Sequence, residues 1–308
     1  MQFLKINAVL LIVLLNCTVS FCQVNSDTVK TVAVIDSTQA SRPNEFVYTK
    51  PKPFAFVTKL PKTLAWSAKE SFSKKSIPAW GIITSSTLIL IACDQDITDG
   101  VKRFSRYIGL DNENKYKTVV GFNVGSTHFD AYQLPQNLNS VFYSLGEGST
   151  SLLLCGGMSL YGIASHDNRA RSTSSQILQA QLALGITCQI LKRVAGRESP
   201  AASTAPGGVW RPFTKPSEYQ KAVSHHDAFP SGHLATMMAT VTVLAGNYPE
   251  KRWIIPVGYS VIGVTGLAMI NNGVHWAGDY PLALGIGYIC GKMAVKMNKL
   301  VNTKARRK

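Results

Sequence analysis

Apolar residues gather in six runs, at 79–93, 151–164, 177–191, 234–245, 253–270 and 281–295, with polar stretches between them. Runs of this length read as helices, so the chain is predicted to be all-α, a helical bundle of about six helices. Most runs are shorter than the roughly 20 residues a bilayer span needs. Polar neighbours such as Gln179, Gln181 and Thr240 would extend them, facing the bundle interior, and the bundle is then expected to be membrane-embedded. The segment 23–76 is rich in Ser, Thr, Lys and Pro, punctuated by Pro43, Pro51, Pro53 and Pro61, and reads as a polar linker or arm. Its string Phe54, Phe56, Leu60, Leu64 and Trp66 could lie along a membrane surface. The stretch 94–148 is long, polar and weakly patterned, and its Asp94-x-Asp96 with Asp99 reads as a solvated helix start in preference to a metal site. Leu145-Gly146-Glu147-Gly148 leads into the next helix.

Charge narrows the class. The net charge is +15, yet only 16% of the residues are charged and 45% are hydrophobic. A nucleic-acid module concentrates its basic residues with aromatics on polar elements, whereas here they gather in short loops and at the C-terminus. A basic membrane protein fits better. Residues 1–22 combine Lys5 with an apolar stretch at 8–15 and read as a secretory signal peptide, with an uncleaved anchor helix as the alternative. Four of the six cysteines, Cys93, Cys155, Cys188 and Cys290, sit in or beside apolar runs without a Cys-x-x-Cys pair, so they read as buried small hydrophobes.

Two apolar runs open on a histidine. Pro230-Ser231-Gly232-His233 precedes the run at 234–245, and His275 with Asp279 precedes the run at 281–295. Ser231 suits a helix N-cap, and Gly232 lets backbone N–H groups approach a ligand. Such a terminus carries free N–H donors and partial positive charge, which suits an anion such as phosphate. Asp279 follows His275 by four residues, on one helical face. A carboxylate there keeps one imidazole nitrogen protonated and leaves the other free as nucleophile or base. A third run ends in a cationic cluster with Lys192, Arg193 and Arg197 before Ser199-Pro200.

Taken in order, these residues resemble the type 2 phosphatidic acid phosphatase and haloperoxidase superfamily, whose pattern is Lys-x6-Arg-Pro, Pro-Ser-Gly-His, then Ser-Arg-x5-His-x3-Asp. The match is Lys192 with Pro200, all of Pro230-Ser231-Gly232-His233, and His275 with Asp279. The chain departs twice: Ser199 stands at the first motif's arginine, and Ala268-Met269 replaces the Ser-Arg pair. The resemblance implies that His275 attacks phosphorus, that Asp279 orients it and that His233 protonates the leaving oxygen. It implies that Lys192, Ser231 and the Gly232 N–H hold the phosphate oxygens, with Arg197 as a stand-in for a lost arginine. Neither metal nor other cofactor enters this scheme, because fixed cations and N–H donors supply the electrostatics. The expected organisation is a signal peptide at 1–22, an arm at 23–76, the phosphatase-like helical domain at 77–300 and a basic tail at 301–308.

Basic residues near span ends face the cytoplasm. A cytoplasmic tail places Glu250-Lys251-Arg252 and the Arg169-x-Arg171 loop inside, and every motif outside. The same parity requires the run at 79–93 to enter from inside, which conflicts with a cleaved signal. The expected function is a membrane phosphatase acting on a lipid phosphate or diphosphate through a phosphohistidine, at the periplasmic face of a bacterial inner membrane. The alternatives are a weakened or inactive relative that binds a lipid headgroup, and a soluble secreted acid phosphatase or haloperoxidase-like enzyme. The expected partners are that lipid substrate and the membrane, without nucleic acid.

Overall fold

The computed structural model describes residues 46–124, 127–298 and 300–301. The signal-peptide reading of 1–22, the first half of the arm and the tail beyond 301 lie outside the described residues. In chain order the helices are α1 (Ala55–Thr58), α2 (Leu60–Ser71), α3 (Ile77–Tyr107), α4 (Leu138–Ser144), α5 (Gly148–Ala164), α6 (Asn168–Ala195), α7 (Pro216–Lys221), α8 (Gly232–Asn247), α9 (Ile254–Asn271) and α10 (Tyr280–Asn298). Strands are confined, among the described residues, to a hairpin of Tyr116–Val124 with Thr127–Pro135 and a two-residue pairing of Phe46–Val47 with Leu300–Val301. The fold is all-α, and the six apolar runs fall in α3, α5, α6, α8, α9 and α10.

The core is built by α6, α8 and α10. Ile177, Ala180, Leu184 and Cys188 recur at helical spacing on α6 and pack against Leu234, Ala235, Met238 and Ala239 of α8 and Ala283, Ile286, Cys290 and Ala294 of α10. Small residues let α8 and α10 approach closely. A Cβ at Gly287 would lie 2.3 Å from the Ala235 carbonyl oxygen, and one at Gly291 would lie 2.8 Å from that of Ala239. Polar side chains are paired inside, as expected for the glutamines and Thr240. Gln181 Nε2 donates to the Thr236 carbonyl and Thr240 Oγ1, and Gln179 Nε2 donates to Thr63 Oγ1 at 2.6 Å. Many apolar side chains point outward instead, including Leu88 and Ile89 of α3, Leu153 and Leu160 of α5, and Ile255 and Val257 of α9. The stretch Lys74–Tyr107 and helix Ile254–Asn271 are long and apolar enough to cross a membrane. The four described cysteines are free, with Cys155, Cys188 and Cys290 buried and Cys93 half-buried.

Three stretches differ from the sequence reading. α3 runs 31 residues, well beyond residue 93, because Leu90, Asp94, Ile97, Thr98 and Ser105 keep a buried face at helical spacing. The stretch read as unpatterned also contains the hairpin, whose first strand exposes Val119, Val120 and Phe122 and so shows no half-buried alternation there. Part of the segment read as an arm forms α2, which buries Thr63 and Ser67.

Candidate active site

Each motif residue is placed by an identifiable stop or start. α6 ends on Gly196 in the left-handed conformation (φ 59°), the usual helix C-cap. A Cβ there would collide with the Arg211 carbonyl, so glycine is required. Lys192 therefore sits in the last turn, at the end of the bundle, with Nζ 3.0 Å from Asp227 Oδ2. Beyond Gly196 the backbone at Arg197 bridges to Trp210 on one side and Asp227 on the other. Ser231 caps α8: its hydroxyl accepts from the Leu234 N–H, and its own N–H donates 3.1 Å to the Asp279 carbonyl. That bond joins the Ser-Gly-His and His-x-x-x-Asp motifs directly. The Gly232 and His233 N–H groups precede the helix's first internal bond, at Ala235, and so face outward at the positive end. A Cβ on Gly232 would meet nothing within 4 Å, so this approach is open.

The two histidines face one another across this end of the bundle. Their ring centroids are 5.6 Å apart, nearly perpendicular at 71°. His275 is buried, with Nδ1 3.5 Å from Asp279 Oδ2 and no closer hydrogen-bond partner. Asp279 Oδ2 also accepts the Trp276 N–H at 2.8 Å. His233 Nε2 lies 3.2 Å from the hydroxyl of Tyr143, on α4. Lys192 is near enough for its charge to act on His233. The structure thus brings together His233, His275, Asp279, Ser231, Gly232 and Lys192.

Arg197 is placed differently from the stand-in expected at the phosphate. Its side chain is fully buried, and its guanidinium donates to Asp279 Oδ1 at 2.7 Å, to Asp94 Oδ2 at 2.6 Å and to the Gly207 carbonyl at 2.7 Å. Trp210 and Trp276 flank it at 4.9 and 5.3 Å. Asp94 is likewise no solvated helix start: it is fully enclosed, and its Oδ1 accepts the Gly278 N–H at 2.8 Å. Asp99 accepts from Gln95, and no group of three His, Cys, Asp or Glu is placed to hold a metal among the described residues. Of the two positions that lack an arginine, Ser199 is buried beside Arg197 and Met269 is fully enclosed in the main core.

Glu198 anchors the loop from the opposite side. Burial works against its charge, but the N–H groups of Thr204 and Val209, with His225 and Arg211, hold its carboxyl well below the usual carboxylate range. Its carbonyl accepts from Trp276 Nε1 at 2.7 Å, which fixes the residue next to His275. Tyr143 and Asp227 escaped the sequence reading, and Asp94 was read only as part of a solvated helix start. Asp94 carried a usable signal, lying one turn beyond Leu90 on the buried face of α3, whereas Tyr143 and Asp227 carried none.

The family model of the PAP2 superfamily matches residues 176–302. That span holds Lys192, Ser231, Gly232, His233, His275 and Asp279, while Asp94 and Tyr143 precede it. The lipid A 1-phosphatase of Porphyromonas gingivalis is 32% identical over 76 residues, or 24% of this chain and 17% of that protein. The aligned stretch thus spans under a fifth of that relative. No solved structure matches. Motif order, geometry and matched span agree, so residues 176–302 are similar to the PAP2 superfamily.

Proposed function

We propose that the chain is a membrane phosphatase that hydrolyses a lipid phosphate or diphosphate, with His275 as nucleophile. The observation that carries this is the facing pair of histidines, with Asp279 against Nδ1 of one of them. Because Nδ1 faces the carboxylate, Nε2 of His275 is the nitrogen left to attack phosphorus. The positive charge that then develops on the ring is balanced by Asp279. His233 protonates the leaving oxygen and, in the second half-reaction, takes the proton from the water that cleaves the phosphohistidine. Lys192, the Ser231 hydroxyl and the Gly232 N–H meet the phosphate oxygens, a preorganised set of donors of the kind that lowers barriers most. Tyr143 occupies His233 Nε2 until a substrate oxygen displaces it. The relative's name supports a lipid substrate, the two apolar helices support a membrane location, and the placement of basic loops supports a site facing the periplasm of a bacterial inner membrane.

One observation favours a weaker second reading, an attenuated or purely headgroup-binding member. The Arg197 guanidinium is engaged by two carboxylates and Ser199 and Met269 offer none, which leaves Lys192, itself paired with Asp227, as the cation assigned to the phosphate. Phosphate release from a panel of phosphatidate, phosphatidylglycerol phosphate, undecaprenyl diphosphate and lipid A separates the readings. The purified protein is expected to release phosphate from at least one of them, His275→Ala to abolish release and Asp279→Asn to cut it at least about tenfold. Substantial turnover by His275→Ala would remove the nucleophile assignment. No release from any lipid by the natural sequence would leave the binding reading alone.

A further inference from the structure

We propose that Asp94 is a positioning residue for His275, acting through Arg197 and the Gly278 backbone to set the Asp279 carboxylate. This rests on the nucleophile reading above, but it concerns a helix, α3, that lies before the matched span.

Asp94 grips the catalytic turn twice. Oδ1 accepts the N–H of Gly278, the residue beside Asp279, at 2.8 Å. Oδ2 accepts from Arg197, whose other terminal nitrogen donates 2.7 Å to Asp279 Oδ1. Asp279 is then left with Oδ2 directed at the Trp276 N–H and His275 Nδ1. The approach is close enough that a Cβ on Gly278 would lie 2.7 Å from Asp94 Oδ2, so a glycine is needed there. All three charged side chains are fully buried. Buried ion pairs contribute little net stability, since desolvation offsets the attraction, and well-packed apolar residues often do as well. Stability alone therefore gives little reason for such a cluster beside His275.

The charge count supplies a reason. Two carboxylates share one guanidinium, leaving one excess negative charge behind His275. The charged and titratable groups around the two histidines include Asp279, Asp94, Arg197 and Lys192, with Asp227 paired to Lys192, Tyr143 against His233 and the buried Tyr280 near Asp279 and Asp94. An excess negative charge at Nδ1 favours the cationic ring that forms when Nε2 bonds to phosphorus. It also keeps Arg197 turned away from the phosphate.

The test is Asp94→Asn in the full-length protein, which keeps shape and the Gly278 contact but removes the charge. The expected outcome is a kcat lower by about tenfold or more with KM within about twofold, and a pH–rate limb displaced to lower pH. The effect should nearly vanish in an Asp279→Asn background, because the two act in series. A lower melting temperature with unchanged kcat and pH profile, or a loss that repeats in full in the Asp279→Asn background, overturns the proposal. NMR of ring-labelled histidine gives a readout independent of turnover: His275 is expected to titrate at lower pH in Asp94→Asn, and an unmoved titration overturns the proposal even if His275→Ala refutes the nucleophile. Should Asp94→Asn not fold, Asp94→Leu with Arg197→Met removes one charge of each sign and leaves Asp279 as the excess negative charge, so kcat is expected to fall through lost positioning while the His275 titration stays near that of the natural protein, and an unchanged kcat overturns the proposal.

Discussion

At the scale of single residues, the proposed phosphate end of the site has no arginine at 199 or 269, and the structure explains why Arg197 does not fill the gap. Asp94 and Asp279 hold its guanidinium from both sides. Arginine at 199 is a different case. Ser199 has extended backbone (φ −75°, ψ 157°), and alternate residues of an extended strand share a face. One charged hydrogen bond contributes about 1.5–3 kcal/mol, so Ser199→Arg is expected to raise kcat/KM for phosphate release roughly ten- to hundredfold. Met269→Arg should instead lower the melting temperature, because Met269 is fully enclosed and an unpartnered guanidinium there is costly. Kinetics and thermal unfolding of both variants check this. The motif residues were legible because their chemistry depends on short spacings, such as four residues from His275 to Asp279. The partner of Arg197 was not, since Asp94 stands 103 positions away and its carboxylate suggests solvent until its helix is seen to be buried on that face.

At the scale of elements, α8 and α10 carry the two halves of the site, and their separation is set by backbone contact at Gly287 and Gly291. A Cβ at Gly287 meets a carbonyl oxygen of α8, an atom that cannot move without moving the helix. Gly287→Ala is therefore expected to destabilise by about 1–3 kcal/mol, as overpacking does, and to reduce turnover by displacing His233 from His275. Thermal unfolding and phosphate release, measured on one preparation, check both effects. Elements were legible in the sequence where a run was long and apolar, as in all six main helices. They were hidden where burial is polar or absent: α2 buries a threonine and a serine, the second half of α3 buries Asp94 and Thr98, and the hairpin's first strand exposes Val119, Val120 and Phe122.

At the scale of the whole molecule, sidedness follows from which helix ends meet. Lys192, Ser231 and Asp279 share one end with Asp94. The other end carries Arg169, whose guanidinium donates to the Asn247 carbonyl and to Glu250, and Asn298, whose amide donates to Gln179. The segment before α3 belongs to this second end: the Tyr48 hydroxyl donates 3.1 Å to the Asn247 carbonyl, and Glu70 lies 3.3 Å from Lys292. α3 then rises about 26 Å over the 17 residues from Ile77 to Asp94, close to the roughly 30 Å of a hydrocarbon core. If the basic loops mark the cytoplasm, residues 48–71 are cytoplasmic too. Single cysteines at Lys69 and Lys251 are therefore expected to resist a membrane-impermeant thiol reagent in intact cells, whereas one at Ala205 or Asn272 should react. Labelling at Lys69 together with Ala205 would separate the arm from the inner end and undo this arrangement. Labelling at all four positions would instead show that the bundle does not span the membrane.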